Sequence, residues 1–408
     1  MRIVVHDYSG HAFPVQLARE LARRGHDVLH LHCPSYTTGR GALERLATDP
    51  PNFAAEGVPL STKVAKYSWR RPFQELRYAW LARRRVAAFA PDVLVSCNVP
   101  LLANRFLMAM LRGSAIRVVH WHQDIYSAPI AALARQRIPV AGGLVAWVAE
   151  RFERAIVRRS AFVVPISHAF LPTLDAWGVP PERVRVIENW APLEEIDPVP
   201  RDNPWARSHG LLGPTILYAG TLGLKHDPEL LFQLACRVDG GASVVVLSEG
   251  RGADYLRARA VESPAPNLRL LPFQPYETLP QVLGSADVLA VILEPSAATF
   301  SVPSKVLSYH CAGRAIVASL TRDNLAARII EDNETGLVVD PGDIDAFAAA
   351  ARRLLDDTEL RSRMATNARA YAKRTFDIRA IGDEFEDILV GAVDAEPRRR
   401  HSQPTAGE

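Results

Sequence analysis

Lysine is nearly missing from this chain: of 48 basic side chains, 5 are lysines and 43 are arginines. Cysteine is equally scarce. Cys33, Cys97, Cys236 and Cys311 are far apart and lack metal-ligand or redox spacing, which excludes a disulfide framework and fits a reducing cytoplasm. The longest apolar run, 138–149, has 12 residues between Arg137 and Glu150, short of the roughly 20 that a spanning helix needs. Strand-like Arg2-Ile3-Val4-Val5 stands at the start, so no signal peptide is expected. The one Asp-x-Asp, Asp343-Ile344-Asp345, falls at an expected helix start, where capping is the simpler role, and no metal site is expected. Repeats and low-complexity segments are absent.

What is present is an ordinary globular composition, 48% hydrophobic and 23% charged, which excludes disorder for most of the chain. At 408 residues two domains are the default. The net charge of +3 conceals an asymmetry: residues 1–192 hold 25 Lys+Arg against 14 Asp+Glu, leaving 23 against 31 for the remainder. The first half is thus expected to face an anionic partner. Residues 63–85, KVAKYSWRRPFQELRYAWLARRR, concentrate that charge around Tyr67, Trp69, Phe73, Tyr78 and Trp80. From Pro72 they read as a helix with Phe73, Leu76 and Trp80 on one face and Arg70, Arg71, Arg77 and Arg84 able to reach anionic headgroups. The stretch matches no nucleic-acid-binding module, so a membrane surface is the expected partner.

Short β-branched runs alternate with helical stretches, which argues for parallel sheets covered on both faces. The first half offers strands at 2–6, 28–32, 93–97, 116–120, 162–166 and 184–187. The second offers 215–219, 243–248, 268–271, 288–293, 315–318 and 336–339. The pattern occurs twice, so the fold class is α/β with two Rossmann-like domains. The expected division is 1–195, a proline-interrupted linker 196–212, a second domain 213–377, a last helix 378–393 and a disordered tail 394–408.

Two loops of the second domain are suited to anions. In the first, Gly220, Thr221, Gly223 and Lys225 follow a strand, with Asp227 as N-cap and Pro228 opening a helix, so a positive dipole end faces the loop. In the second, Pro303 and Ser304 open a helix whose first turn carries Lys305. In the first domain, His120-Trp121-His122-Gln123-Asp124 leaves the end of a strand, the place where open parallel sheets bind ligands. Ser167-His168 reads as a helix cap or cleft lining, since adjacent strand residues point to opposite faces. Glu188-Asn189 suits either a cleft or a turn.

The segments LARELARRGHDV (17–28), VVPISHAF (163–170), VRVIENWAP (184–192), YAGTLGLKH (218–226), LLPFQPYETLPQVLGSADV (270–288) and VPSKVLSYHCAGRAIV (302–317) occur in this order across both halves. Together they resemble the family 4 retaining glycosyltransferases, and ENWAP, PFQPYETLP and VPSK resemble the branch building bacterial surface polysaccharides, including fucosaminyl transferases of O-antigen assembly. The resemblance implies a GT-B fold, two facing Rossmann-like domains with a cleft between them. The first would take the acceptor, and the last helix would return to it. The second would bind a UDP-sugar or GDP-sugar. No cofactor beyond that donor is implied.

On this reading Lys225 and Lys305 neutralise the departing diphosphate, while the base and ribose rest against backbone around Gly250, Gly252, Phe273 and Gln274. Asp124 receives or orients the acceptor hydroxyl proton, and either His120 or His122 contacts the sugar or the departing oxygen. A lipid-linked saccharide acceptor would place the protein in the cytoplasm, against the inner membrane face. Ala297 and Lys305 stand where many members have glutamates, and Thr221 where many have arginine, so Lys305 serves the diphosphate, the ribose or an acidic group on the donor. Glu294 is a weak substitute for the missing glutamate. A nucleotide-sugar epimerase or a non-catalytic partner of the same architecture are the competing readings.

Overall fold

The computed structural model describes residues 1–36, 41–62, 64, 70–137, 141–223, 226–238, 241–295 and 302–394. Lys63, Lys66, Tyr67, Trp69, Lys225, Ala297 and the tail from 395 therefore lie outside the described residues.

The first lobe contains β1 (Arg2–Asp7), α1 (Ala12–Arg23), β2 (Asp27–His32), β3 (Phe53–Gly57), α2 (Arg71–Phe89) and β4 (Val93–Cys97). It continues with α3 (Leu101–Met110), β5 (Arg117–His122), α4 (Ser127–Arg137), α5 (Gly142–Arg159), β6 (Phe162–Pro165) and α6 (Leu171–Ala176). Short α7 (Pro204–Ser208) leads into the second lobe: β7 (Thr215–Ala219), α8 (Pro228–Arg237), β8 (Ser243–Leu247), α9 (Arg251–Glu262), β9 (Leu268–Leu271) and α10 (Leu279–Gly284). Then come β10 (Val288–Ile292), α11 (Lys305–Ala312), β11 (Ala315–Ser319), α12 (Leu325–Asp332) and β12 (Gly336–Val339). The chain finishes with α13 (Ile344–Asp356), α14 (Thr358–Thr375) and α15 (Ile378–Asp394).

Each lobe has a six-stranded sheet, ordered β3-β2-β1-β4-β5-β6 and β12-β11-β10-β7-β8-β9, with every pairing parallel. That is one doubly wound order used twice, and it sets the two-domain GT-B architecture. The central strands β4 and β10 are buried at every position, as β-branched runs covered by helices on both faces must be.

The strand expected at 184–187 is reduced to one bridge, Val163 to Val184, although Arg185 N and Ile187 N still donate to Val163 and Pro165 oxygens. Its neighbour β6 ends at Pro165, which has no N–H to continue a ladder. Strand β3, with the sequence FAAEG, was not expected because alanine and glycine carry little strand propensity. It lies at the sheet edge.

Helix α15 packs on α1, β4 and β5 of the first sheet. Phe385 meets Trp121 and Trp190 edge-on at 4.8 and 6.1 Å. At its rim Arg24 pairs with Asp383 and Glu386 at 2.7 and 2.8 Å.

Candidate functional site

Strand β5 runs two residues further than expected, through His122, so both histidines belong to the strand. With a period of two they share a face, and His120 Nε2 lies 3.2 Å from His122 Nδ1. Both are buried. Burial pushes His120 down to about 4, and burial followed by the neighbouring His120 pushes His122 well below its ordinary value. Neutral imidazoles here can donate or accept a hydrogen bond, but they do not supply positive charge near pH 7. Among the described residues neither His122 Nε2 nor His120 Nδ1 has a hydrogen-bond partner.

Four residues, Gln123 to Tyr126, join the strand to α4. Two devices hold that short link. Gln123 and Asn189 exchange amide hydrogen bonds of 3.1 and 2.6 Å. Buried Glu153, on α5, accepts the Tyr126 and Ser127 amides at 2.7 Å each. Burial raises Glu153 to about 7, against the lowering effect of those hydrogen bonds. Asn189 is thereby joined to the Asp124 link, while Glu188 lies within electrostatic reach of His168 and of Arg328 on α12 of the other lobe. Ser167 accepts from Ala169 N at 3.2 Å and is a cap.

In the second lobe the two phosphate-loop candidates meet. Lys305 Nζ donates to Tyr218 Oη at 2.5 Å, over the same ring at 4.0 Å, and Tyr218 in turn donates to the Thr221 carbonyl at 3.1 Å. Gly220 has φ +141°, and a β-carbon there would meet Lys305 Cε at 3.2 Å. Glycine at this turn therefore makes room for the lysine stem as well as for the backbone. Burial of the ammonium lowers the Lys305 pKa to about 7.

The loop amides are less available than the glycine pattern implies. Gly220 N donates to Leu247 O, Leu222 N to Ser248 Oγ and Gly223 N to His226 Nδ1. At the start of α8 the Glu229 amide is taken by Asp227. The Gly220 and Gly223 amides are thus taken by the protein itself, and the lysine found at this turn among the described residues is Lys305. Thr221 and Ser304 are exposed, and Ser304 makes no side-chain cap.

Gly250 precedes α9 with φ +88°. Gly252 is a close-packing position, because a β-carbon would lie 2.4 Å from Leu222 Cβ. Phe273 N donates to Glu249 Oε1 at 3.3 Å. Gln274 holds the protein together: its Oε1 accepts the Trp205 indole and its Nε2 bonds Pro272 O. Glu294 and Asp227 line a cavity of about 180 Å³ at the ends of β10 to β12, together with Ser319 and Gly342. Burial, then the charge of Asp227, raises the Glu294 pKa. Asp343 caps α13 through the Ala346 amide, and Asp345 pairs with Arg237 at 3.0 Å.

On α2, Arg71 turns inward to Glu75 at 2.6 Å and Tyr78 is core. Neither lies on a surface ready for lipid, in contrast to the expectation, whereas Phe73 and Trp80 are exposed.

Sequence reading missed Tyr218, Gln123 and Glu153 as site elements. Tyr218 carried one signal, an aromatic hydroxyl immediately before a glycine turn. Glu153 carried none, since its partners precede it by 26 and 27 residues.

Residues 11–190 match the model of the glycosyl transferase 4-like domain, and residues 205–371 that of glycosyl transferases group 1. The chain is similar to the putative colanic acid biosynthesis glycosyl transferase WcaI of Escherichia coli K12, 28% identical over 92% of this chain and 95% of that one. It is also similar to the alpha-D-kanosaminyltransferase of Streptomyces kanamyceticus, 25% identical over 69% and 72%. Among solved structures, Anabaena HepE in complex with UDP-glucose superposes with a TM-score of 0.70 over 96% of this chain and 99% of that one, at 15% identity.

Proposed function

We propose that this chain, which belongs to the family 4 glycosyltransferases, works in surface polysaccharide synthesis and moves a sugar from a UDP-sugar or GDP-sugar to a lipid-linked saccharide, with retention at the anomeric carbon and without a metal. The observation that carries this reading is Lys305, a desolvated amine over Gly220 at the C-terminal edge of the second sheet. A departing diphosphate gains negative charge as the glycosidic bond breaks, and a preorganised amine that protonates beside it lowers that barrier.

On the acceptor side Asp124 takes or orients the hydroxyl proton, and His122 offers a neutral hydrogen bond through its unpartnered Nε2. The relatives' names support polysaccharide-type chemistry, and the kanosaminyltransferase adds an amino sugar to the range of donors to test. The protein would work at the inner membrane face, with α2 among the surfaces meeting anionic lipid.

Thermal shift with UDP, GDP and their sugars tests the proposal. A ligand at 100 times its dissociation constant adds about 2.7 kcal/mol, and the base giving the larger shift is the donor's. No shift with any nucleotide would sink the reading. Turnover of donor without acceptor would point to an epimerase instead.

A further inference from the structure

Helices α4 and α5 form a hairpin between β5 and β6, and α4 packs chiefly on α5. Glu153, bonded to the Tyr126 and Ser127 amides, sets the level at which α5 passes the ends of the strands. Because α5 leads into β6, it runs antiparallel to the strands, as a right-handed crossover requires. Its first eleven residues, Gly142 to Phe152, consequently extend about 16 Å beyond that level at 1.5 Å per residue. The projecting part lies on the same edge of the sheet as Asp124. Gly142 is held close to α4, since a β-carbon would meet the Ala134 carbonyl oxygen at 2.4 Å.

The inner side of α5 is ordinary core, with Ala146, Ala149 and Ile156 buried. Its outer side is not an ordinary solvated face. Leu144 is 63% exposed, Trp147 58% and Val145 38%, three large apolar side chains within one turn of helix. Below them Glu150, which accepts the Trp177 indole N–H, is outnumbered by arginines. Arg151 stacks on the Trp147 ring at 5.5 Å and Arg105 of α3 on Phe152 at 5.7 Å. Arg105 and Arg159 are pushed below the usual guanidinium range by burial and then by Arg112, with Arg105 adding to the effect on Arg159. Among the described residues none of Arg105, Arg112, Arg151 and Arg159 has an ion pair.

We propose that the first turn of α5, with Leu144, Val145 and Trp147, inserts into an anionic bilayer surface while Arg151 of α5 and Arg105 of α3 meet its headgroups. Exposed apolar residues beside uncompensated cations are the composition of an interfacial anchor, and a tryptophan suits the headgroup level. Charge complementarity selects a membrane over a neutral protein face, because Arg105 and Arg151, which have no ion pair among the described residues, gain from phosphates that such a face lacks. The insertion would bring the Asp124 edge of the lobe to the lipid surface. It also adds a second contact, independent of α2.

The test is sedimentation of the full chain with vesicles of phosphatidylcholine alone and of phosphatidylcholine with phosphatidylglycerol, without nucleotide. Vesicle binding is thus read separately from the donor proposal. The parent should bind only the anionic vesicles, and replacing Leu144, Val145 and Trp147 together by serine should weaken binding about ten-fold or more, with an unchanged thermal melt and unchanged nucleotide shift. Quenching of tryptophan fluorescence by brominated lipid should fall in Trp147→Phe, which stays apolar. Equal binding by the parent and the triple variant overturns the proposal. So does a parent that forms a dimer in solution which the triple variant breaks, with no vesicle binding by either.

Discussion

Lys305 Nζ stands 2.5 Å from the Tyr218 hydroxyl, and the two residues join loops 87 positions apart in the sequence. The contact turns two separate glycine-and-lysine patterns into one site. Burial at this position lowers the pKa of the amine to about 7. A diphosphate brought beside it favours the charged form.

The first prediction follows from that pair. Free protein loses the Lys305 proton as pH rises through about 7, whereas a bound diphosphate raises the pKa. Nucleotide affinity should therefore fall above pH 7, and binding at pH 8 should take up a proton. Calorimetry in two buffers of different ionisation enthalpy measures this uptake, and Lys305→Ala should remove it while weakening affinity about 10- to 100-fold, the equivalent of a charged hydrogen bond of roughly 1.5–3 kcal/mol. Without ligand the unfolded chain, with Lys305 at its ordinary 10.5, holds the extra proton between about pH 7 and 10.5. This residue's contribution to stability should rise with pH across that window.

Much of the fold was legible because its central strands are near-continuous apolar runs, such as Val-Leu-Val-Ser-Cys in β4 and Val-Leu-Ala-Val-Ile in β10, set between glycine and proline. The edge strand β3 was not, since alanine and glycine have no pattern to show when pairing comes from a neighbour. The candidate site was legible to the level of loops. Lys305 could be marked by its rarity and its helix start, but the hydroxyl that receives it and the burial that lowers its pKa are tertiary facts. The glycines were read as one class, although Gly220 makes room for a lysine and Gly252 for Leu222.

Gly252 gives the second prediction. It is helical, so alanine there has no backbone penalty, but the new methyl would sit 2.4 Å from Leu222 Cβ and 2.7 Å from its carbonyl oxygen. Overpacking of this kind costs about 1–3 kcal/mol. Relief of the clash must displace the 220–223 turn, so Gly252→Ala should lower both the melting temperature and nucleotide affinity. A variant that melts earlier yet binds nucleotide normally would separate α9 from the donor site.

A third prediction concerns the acceptor edge. Asp124→Asn keeps the shape of the link while removing a base, and should reduce turnover with little change in nucleotide affinity. His122→Ala and His120→Ala should differ, since His122 ends the strand and lies nearer Asp124. With both imidazoles neutral near pH 7, turnover should show no loss attributable to histidine deprotonation between pH 6 and 8. A steep fall across that range which disappears in either histidine variant would show that a charged imidazole is required.

The same link yields the last prediction through Glu153, which touches no reacting atom and acts by holding the amides that follow Asp124. Its two oxygens accept two N–H groups, so Glu153→Gln must set an amide NH₂ against one of them and leave a buried donor unpaired, a loss of about 1–3 kcal/mol. Turnover should fall while nucleotide affinity holds. The pH dependence of stability provides the independent readout. Folding raises this carboxyl from 4.5 to about 7, so between those values the folded chain binds the extra proton, and its contribution to stability should decline as pH rises from about 4.5 to 7. Thermal melts across that range should show the decline in the parent and a flatter profile in Glu153→Gln. Equal slopes in the two proteins would mean that Glu153 ionises normally and holds the two amides as a carboxylate.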